Sequence, residues 1–261
     1  MSSVISVRND GPVWVVTLDA PGRKNAIPNA DWAVLTAALR RFAADPAGKV
    51  LVIRGAGSDF CSGADLGGDE VDELSGVVAA RAWMQPVGEA ATTLHRLAKP
   101  TVAAVDGVAV GAGMNLALGC DIVVATDRAR FSEIFARRGL TLDFGGTWLL
   151  PRMIGLARAR EIALTGRFVD AAEAERIGLV SRVVAPDQLD AAVDVTTAAL
   201  LAGAPLAQRF IKTALDRSSS MDFEQAVEFE TQTQSVLLGS DDFREALGAF
   251  AEKRPAEFDG R

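Results

Sequence analysis

Two short segments of this 261-residue chain combine small residues with exposed main chain. They are Phe60-Cys61-Ser62-Gly63-Ala64-Asp65-Leu66 and Gly107-Val108-Ala109-Val110-Gly111-Ala112-Gly113-Met114-Asn115. Each reads as a loop between a buried strand and a helix, with main-chain N–H groups free to donate and glycines that allow close approach. In the second, a helix predicted from Ala112 to Leu118 adds the partial positive charge of its N-terminus, which favours an anion or a developing oxyanion. Glycines at this density equally serve tight turns and helix–strand packing, so the loops alone leave both readings open. Asp143 is the third candidate, in Gly139-Leu140-Thr141-Leu142-Asp143-Phe144-Gly145-Gly146-Thr147-Trp148-Leu149-Leu150-Pro151. It reads either as the N-cap of a Gly145–Leu150 helix or as an acid/base group. The second role requires an apolar pocket to raise a pKa that is near 3.9 in a free Asp, and Phe135, Leu142, Phe144 and Trp148 are the candidates to line it.

Other chemistries are excluded. Gly111-x-Gly113 has Leu116 where a dinucleotide fingerprint needs its third glycine, and no Gly-Lys-Ser/Thr of a phosphate loop occurs. One histidine, His95, and two cysteines, Cys61 and Cys120, are too few for a zinc site of the usual ligand count or for a disulfide framework. Cys61 has no base beside it and reads as packing, and His95 reads as structural. With 27 Lys+Arg against 34 Asp+Glu the net charge is −7. That balance gives no footprint for nucleic acid or for an anionic membrane surface. The apolar stretch Thr101 to Ala125 is broken by Asp106, Asn115, Asp121 and four glycines, so it does not read as a membrane span. MSSVISVRNDG lacks the pattern of a signal peptide. A reducing cytoplasm is the expected location.

The positioning elements are those of an α/β body. Val4–Val7 and Val13–Leu18, joined by Asn9-Asp10-Gly11, predict a hairpin. Trp32, Leu35, Leu39 and Phe42 predict a helix capped by Asn29 or Asp31 and stopped at Asp45-Pro46. Strands are expected at Lys49–Arg54, Thr101–Val105, Ile122–Ala125 and Val180–Val184, with a helical stretch from about Glu70 to Leu97. Beyond Pro186 the pattern is helical, at Asp187–Ala202, Leu206–Ser218, Phe223–Leu238 and Asp241–Lys253. The expected division is a core over residues 1–200 and a helical region over 201–261.

The ordered segments resemble the crotonase family, the enoyl-CoA hydratase/isomerase superfamily, over essentially the whole chain. They comprise Arg23-Lys24-Asn25-Ala26, FCSGADL at Phe60–Leu66, KPTVAAVDGVAVGAG at Lys99–Gly113, Gly145-Gly146-Thr147 with Pro151, Leu164-Thr165-Gly166, Ala171-Glu173-Ala174 with Gly178-Leu179-Val180, and AFAEKRPAEF at Ala249–Phe258. The resemblance implies a spiral of ββα turns followed by a helical C-terminal trimerisation region, assembled as a homotrimer or a dimer of trimers. It implies an acyl-CoA thioester as ligand, with coenzyme A part of the substrate and no separate cofactor or metal. The thioester oxygen would be held by the N–H groups of Ala64 and Ala112. Arg23 and Lys24 would lie near the nucleotide end of coenzyme A, with Phe250 and Lys253 reaching it from the last helix. Solvated charges and a core aromatic are the alternative reading of those four. Ser62, Gly63, Asp65 and Leu66 would shape the loop around the thioester and pantetheine, and Ala26, Gly111, Asn115 and Phe135 complete the binding set.

The chain departs from the family pattern where hydratases place two glutamates, since Asn115 and Phe135 stand at those positions. Glu133 would replace the lost acid only through a shift of register. What survives is Asp143, whose segment, with Trp148–Pro151 and Asp242-Phe243-Arg244-Glu245, resembles the ring 1,2-epoxyphenylacetyl-CoA isomerase type, in which an aspartate at this position is the acid/base. One carboxylate with an oxyanion hole implies migration of a C=C bond through a thioester enolate. Hydration of a 2-enoyl-CoA through Asp143, Glu133 or a water held by Asn115, and a catalytically impaired acyl-CoA binder, are the alternatives.

Overall fold

The computed structural model describes residues 3–67 and 75–261. Strands β1 (Ile5–Asp10) and β2 (Val13–Leu18) form the expected antiparallel hairpin. Helix α1 (Asn29–Ala44) follows, then β3 (Val50–Gly55), α2 (Gly76–His95), β4 (Thr101–Val105), β5 (Val108–Val110) and α3 (Ala112–Leu118). Next come β6 (Ile122–Thr126), β7 (Arg130–Ser132), a 3-10 turn at Ile134–Arg138, α4 (Gly146–Ile154), α5 (Leu156–Thr165), β8 (Val169–Asp170), α6 (Ala171–Arg176) and β9 (Arg182–Val184). Four helices close the chain: α7 (Leu189–Leu201), α8 (Pro205–Ser218), α9 (Phe223–Leu238) and α10 (Asp241–Glu252). Of the helical stretch expected from Glu70, the first residues lie outside those described, and α2 begins at Gly76.

The main sheet runs β1-β2-β3-β4-β6-β9, parallel from β2 onward. Its central strands are continuous apolar runs because both faces are covered. Successive side chains alternate between the faces. Val16, Leu18, Leu51, Ile53, Ala103, Val105, Val123 and Ala125 join the large core with α1 and α3. Val15, Val50, Val52, Val102, Ala104 and Val124 meet Leu189, Ala192 and Val193 of α7 on the other face. Among the described residues no single helix is long and apolar enough to cross a membrane.

Two expectations about helix starts are corrected. Helix α1 begins after Pro28 with no side-chain cap among the described residues. Asp31 instead accepts from Val4 N at 2.7 Å, and Asn29 Nδ2 donates to Trp83 O, so both side chains tie elements together. Asp143 caps nothing either, since α4 starts from Gly145 in a left-handed conformation and runs on to Ile154, past the expected Leu150.

The segment Gly107–Asn115 is also more ordered than a loop. It contains β5, which pairs with β7, and β7 pairs with β8 to make a second sheet of three short strands. Phe60 N and Cys61 N both donate to Val108 O, and Val110 N donates to Cys61 O at 2.9 Å, so the first glycine segment runs beside β5. This small sheet sets the relative positions of both glycine segments and of the chain after β7.

Candidate active site

Asn25 anchors the entrance of the site. It is fully buried with a left-handed backbone; its Oδ1 accepts from Ala20 N, and its Nδ2 donates to Ala56 O and Asp59 O. The adjoining chain then docks onto the first glycine segment. Ile27 N donates to Gly63 O, Asp65 N donates to Ile27 O, and Ser62 N donates to Lys24 O. These bonds leave Ala64 N without an acceptor among the described residues. Ala112 N, the first donor of α3, has none either, as the open N-terminus of a helix requires.

The two segments are pressed together. A β-carbon on Gly63, whose φ is +101°, would lie 2.9 Å from Val110 O and 3.5 Å from Ala112 N. One on Gly113 would collide with Cys61 O. Only glycine permits the approach that brings the Ala64 and Ala112 peptides to one place. Cys61 contributes packing: it is fully buried, Gly63 N donates to its Sγ at 3.3 Å, and burial pushes the thiol up to about 12. That thiol is no nucleophile.

Behind the second segment lies a buried polar cluster. Gly111 N donates to Ser132 O, which fixes the residue after Ser132 against the start of α3. One helical turn on, Asn115 Nδ2 donates to Glu133 Oε2 at 3.3 Å and to the main-chain oxygen of Asp143 at 3.1 Å. Asn115 and Glu133 are fully buried. Asn115 Oδ1, Glu133 Oε1 and Asp143 Oδ1 are buried with no hydrogen-bond partner among the described residues. Burial, offset by the Asn115 bond and reinforced by the charge of Asp143, raises Glu133 to about 8. Burial raises Asp143 to about 6. Buried carboxyls with raised pKa and one unpartnered oxygen are features of acid/base sites.

Glu133, two residues before Phe135, thus reaches the cluster through its bond with Asn115. Its contact with Asn115 was not legible in the sequence because it depends on the long-range Gly111–Ser132 bond. Phe135 is buried, with its ring 3.5 Å from where a β-carbon of Gly111 would stand. Phe144 is buried against Trp32 at 5.4 Å between ring centres. Trp148 is turned elsewhere, edge-on to His95 and under the Arg152 guanidinium, lining a 370 Å³ hollow with Phe144 and Gly145.

The remaining candidates divide. Arg23 pairs with Asp65, and Ser62 Oγ donates to Arg23 O, so Arg23, Lys24, Ala26, Ser62, Gly63, Asp65 and Leu66 form one continuous rim. Lys24 is exposed and makes no ion pair among the described residues. Phe250 and Lys253 are not drawn in: no hydrogen bond, ion pair or ring contact among the described residues links them to the rim, and Phe250 is 86% exposed.

An α/β body in which main-chain donors without acceptors among the described residues open a helix whose next turn carries Asn115, bonded to a buried glutamate, has the layout of an enzyme. A family model described as Enoyl-CoA hydratase/isomerase matches residues 8–261. A probable enoyl-CoA hydratase of Rhodobacter capsulatus is 38% identical, covering 95% of this chain and 94% of the relative. The 1,2-epoxyphenylacetyl-CoA isomerase of Escherichia coli is 34% identical over 95% of each. A crystal structure of a putative enoyl-CoA hydratase from Streptomyces coelicolor superposes with a TM-score of 0.93 at 35% identity, covering 99% of this chain and 94% of that one. The chain belongs to the enoyl-CoA hydratase/isomerase family, and its α/β fold with C-terminal helices is the crotonase fold.

Proposed function

We propose that this protein moves a C=C bond of an enoyl-CoA thioester between the 2,3 and 3,4 positions. The single observation that carries this reading is Asp143 Oδ1, a buried carboxylate oxygen with no partner among the described residues, on a group whose pKa burial has raised toward neutrality. In this scheme the Ala64 and Ala112 N–H groups hold the thioester oxygen. Asp143 takes a proton from the carbon α to the carbonyl, the enolate charge collects on the held oxygen, and a proton returns at the γ-carbon. Phe135 and Phe144 keep that neighbourhood apolar, and the Arg23–Leu66 rim meets the coenzyme A part of the substrate. The scheme needs no resident cofactor or metal.

Hydration of a 2-enoyl-CoA is the second reading, favoured by one observation. Asn115 Oδ1, Glu133 Oε1 and Asp143 Oδ1 offer three buried oxygens in one cluster, a set able to orient an attacking water. The experiment that separates the two is incubation with 3-enoyl- and 2-enoyl-CoA thioesters in D₂O with products followed by mass. Deuterium uptake with bond migration marks the isomerase, water addition marks the hydratase, and tight binding with neither marks a plain acyl-CoA binder. A homotrimer or a dimer of trimers, working in the cytoplasm, completes the proposal. Its support is that α8 and α9 bury none of their own residues within one chain.

A further inference from the structure

We infer that Glu133 is a second proton-transfer group of this site, a general acid working opposite Asp143 on the same thioester; this rests on the isomerase reading above. Glu133 is fully buried, yet only one of its carboxyl oxygens is engaged. Oε2 accepts from Asn115 Nδ2, while Oε1 has no partner among the described residues. An amide N–H donates to a lone pair, so Oε2 is the acceptor end and the proton of the neutral acid sits on Oε1. A single 3.3 Å bond does not offset the cost of burying a charge there, which keeps the group neutral. Asp143 presents the complementary feature, a buried oxygen, Oδ1, with no donor among the described residues. Asn115 holds the two residues together, donating from one nitrogen to the Glu133 side chain and the Asp143 main chain. The site therefore contains one free O–H and one free carboxylate oxygen.

With both groups the reaction balances without any further reagent. Asp143 Oδ1 takes a proton from C2 of a 3-enoyl thioester, and the C–H electron pair moves into the enolate held by Ala64 and Ala112. The enolate collapses to restore the carbonyl, C2=C3 forms, and the former C3=C4 pair takes the proton from Glu133 Oε1 at C4. Asp143 is then protonated and Glu133 ionised. Asp143 then gives its proton to solvent water and Glu133 takes one back from it, which restores the starting state.

Glu133→Gln keeps an oxygen to accept from Asn115 and removes the transferable proton. In D₂O with 3-enoyl-CoA, the variant should exchange C2 within a few-fold of the wild-type rate while bond migration slows at least about 100-fold. Migration at the wild-type rate overturns the inference and leaves the isomerase reading standing. Parallel loss of exchange and migration also overturns it, reducing Glu133 to a brace for Asn115. A wild type that does not migrate the bond removes the isomerase reading and this inference together. Should the variant fail to fold, the wild type decides alone: from 3-enoyl-CoA dideuterated at C2, in H₂O, product free of deuterium at C4 is expected. Deuterium carried from C2 to C4 marks one group doing both transfers and overturns the inference.

Discussion

Asp143, raised to about 6, and Glu133, raised to about 8, give the site a narrow working range. A base that must be ionised and an acid that must be protonated coexist best between those values. Isomerisation should therefore follow a bell-shaped pH profile for kcat/KM centred near neutrality, with limbs belonging to the pair. Glu133→Gln should lose the alkaline limb along with most of its rate. Asp143→Asn should lower isomerisation by at least about 100-fold without lowering thermal stability at neutral pH, since burial disfavours the ionised carboxyl there. The same shifts set stability. A carboxyl whose folded pKa lies above its unfolded value contributes full stability below about pH 4 and loses it as pH rises through the folded value. Wild type should therefore lose stability between about pH 4 and pH 8. Glu133→Gln should flatten that fall, being more stable than wild type at pH 9 by on the order of 3 kcal/mol. Melting curves across pH for both proteins check this.

The site's precision comes from short elements that hold two loops and a helix end in contact. Gly113→Ala would drive a β-carbon into Cys61 O and part the two donor segments. Its expected result is a stability loss of roughly 1–3 kcal/mol with activity falling further than stability, measured by denaturation and turnover together. Asn25→Ala would strand Ala20 N, Ala56 O and Asp59 O, and should cost at least about 2 kcal/mol in urea unfolding. These elements also mark the limit of what the sequence reveals. Long apolar runs such as Thr101–Val105, and periodic helices such as Phe223–Leu238, were legible to the residue because their patterns are local. Strands β5, β7 and β8 span only two or three residues and carry no alternation to read. Without β7 paired to β5, nothing local says that Glu133 faces Asn115. Asn29 and Asp31 have the chemistry of caps, and the structure uses them for contacts with Trp83 and Val4, partners 54 and 27 residues away.

The whole molecule leaves much of its C-terminal half uncovered. Phe223, Leu215, Ile211 and Leu247 are more than half exposed, and Phe250 stands free of the rim that the resemblance would have it join. An assembly of three or six chains would cover such faces. Light scattering should give a mass three or six times the 27.4 kDa chain, and a monomer would contradict it. The family was legible over the whole chain because its motifs are contiguous. The choice of reaction was not, because it depends on which carboxyls the fold gathers around Asn115. The central claim is that Asp143 moves a proton α to a thioester carbonyl. Its most direct test is double-bond migration of 3-enoyl-CoA in D₂O by wild type and Asp143→Asn. Migration with deuterium uptake is expected of the wild type, with at least about a 100-fold loss in the variant. Water addition by the wild type, or undiminished migration by Asp143→Asn, would contradict it.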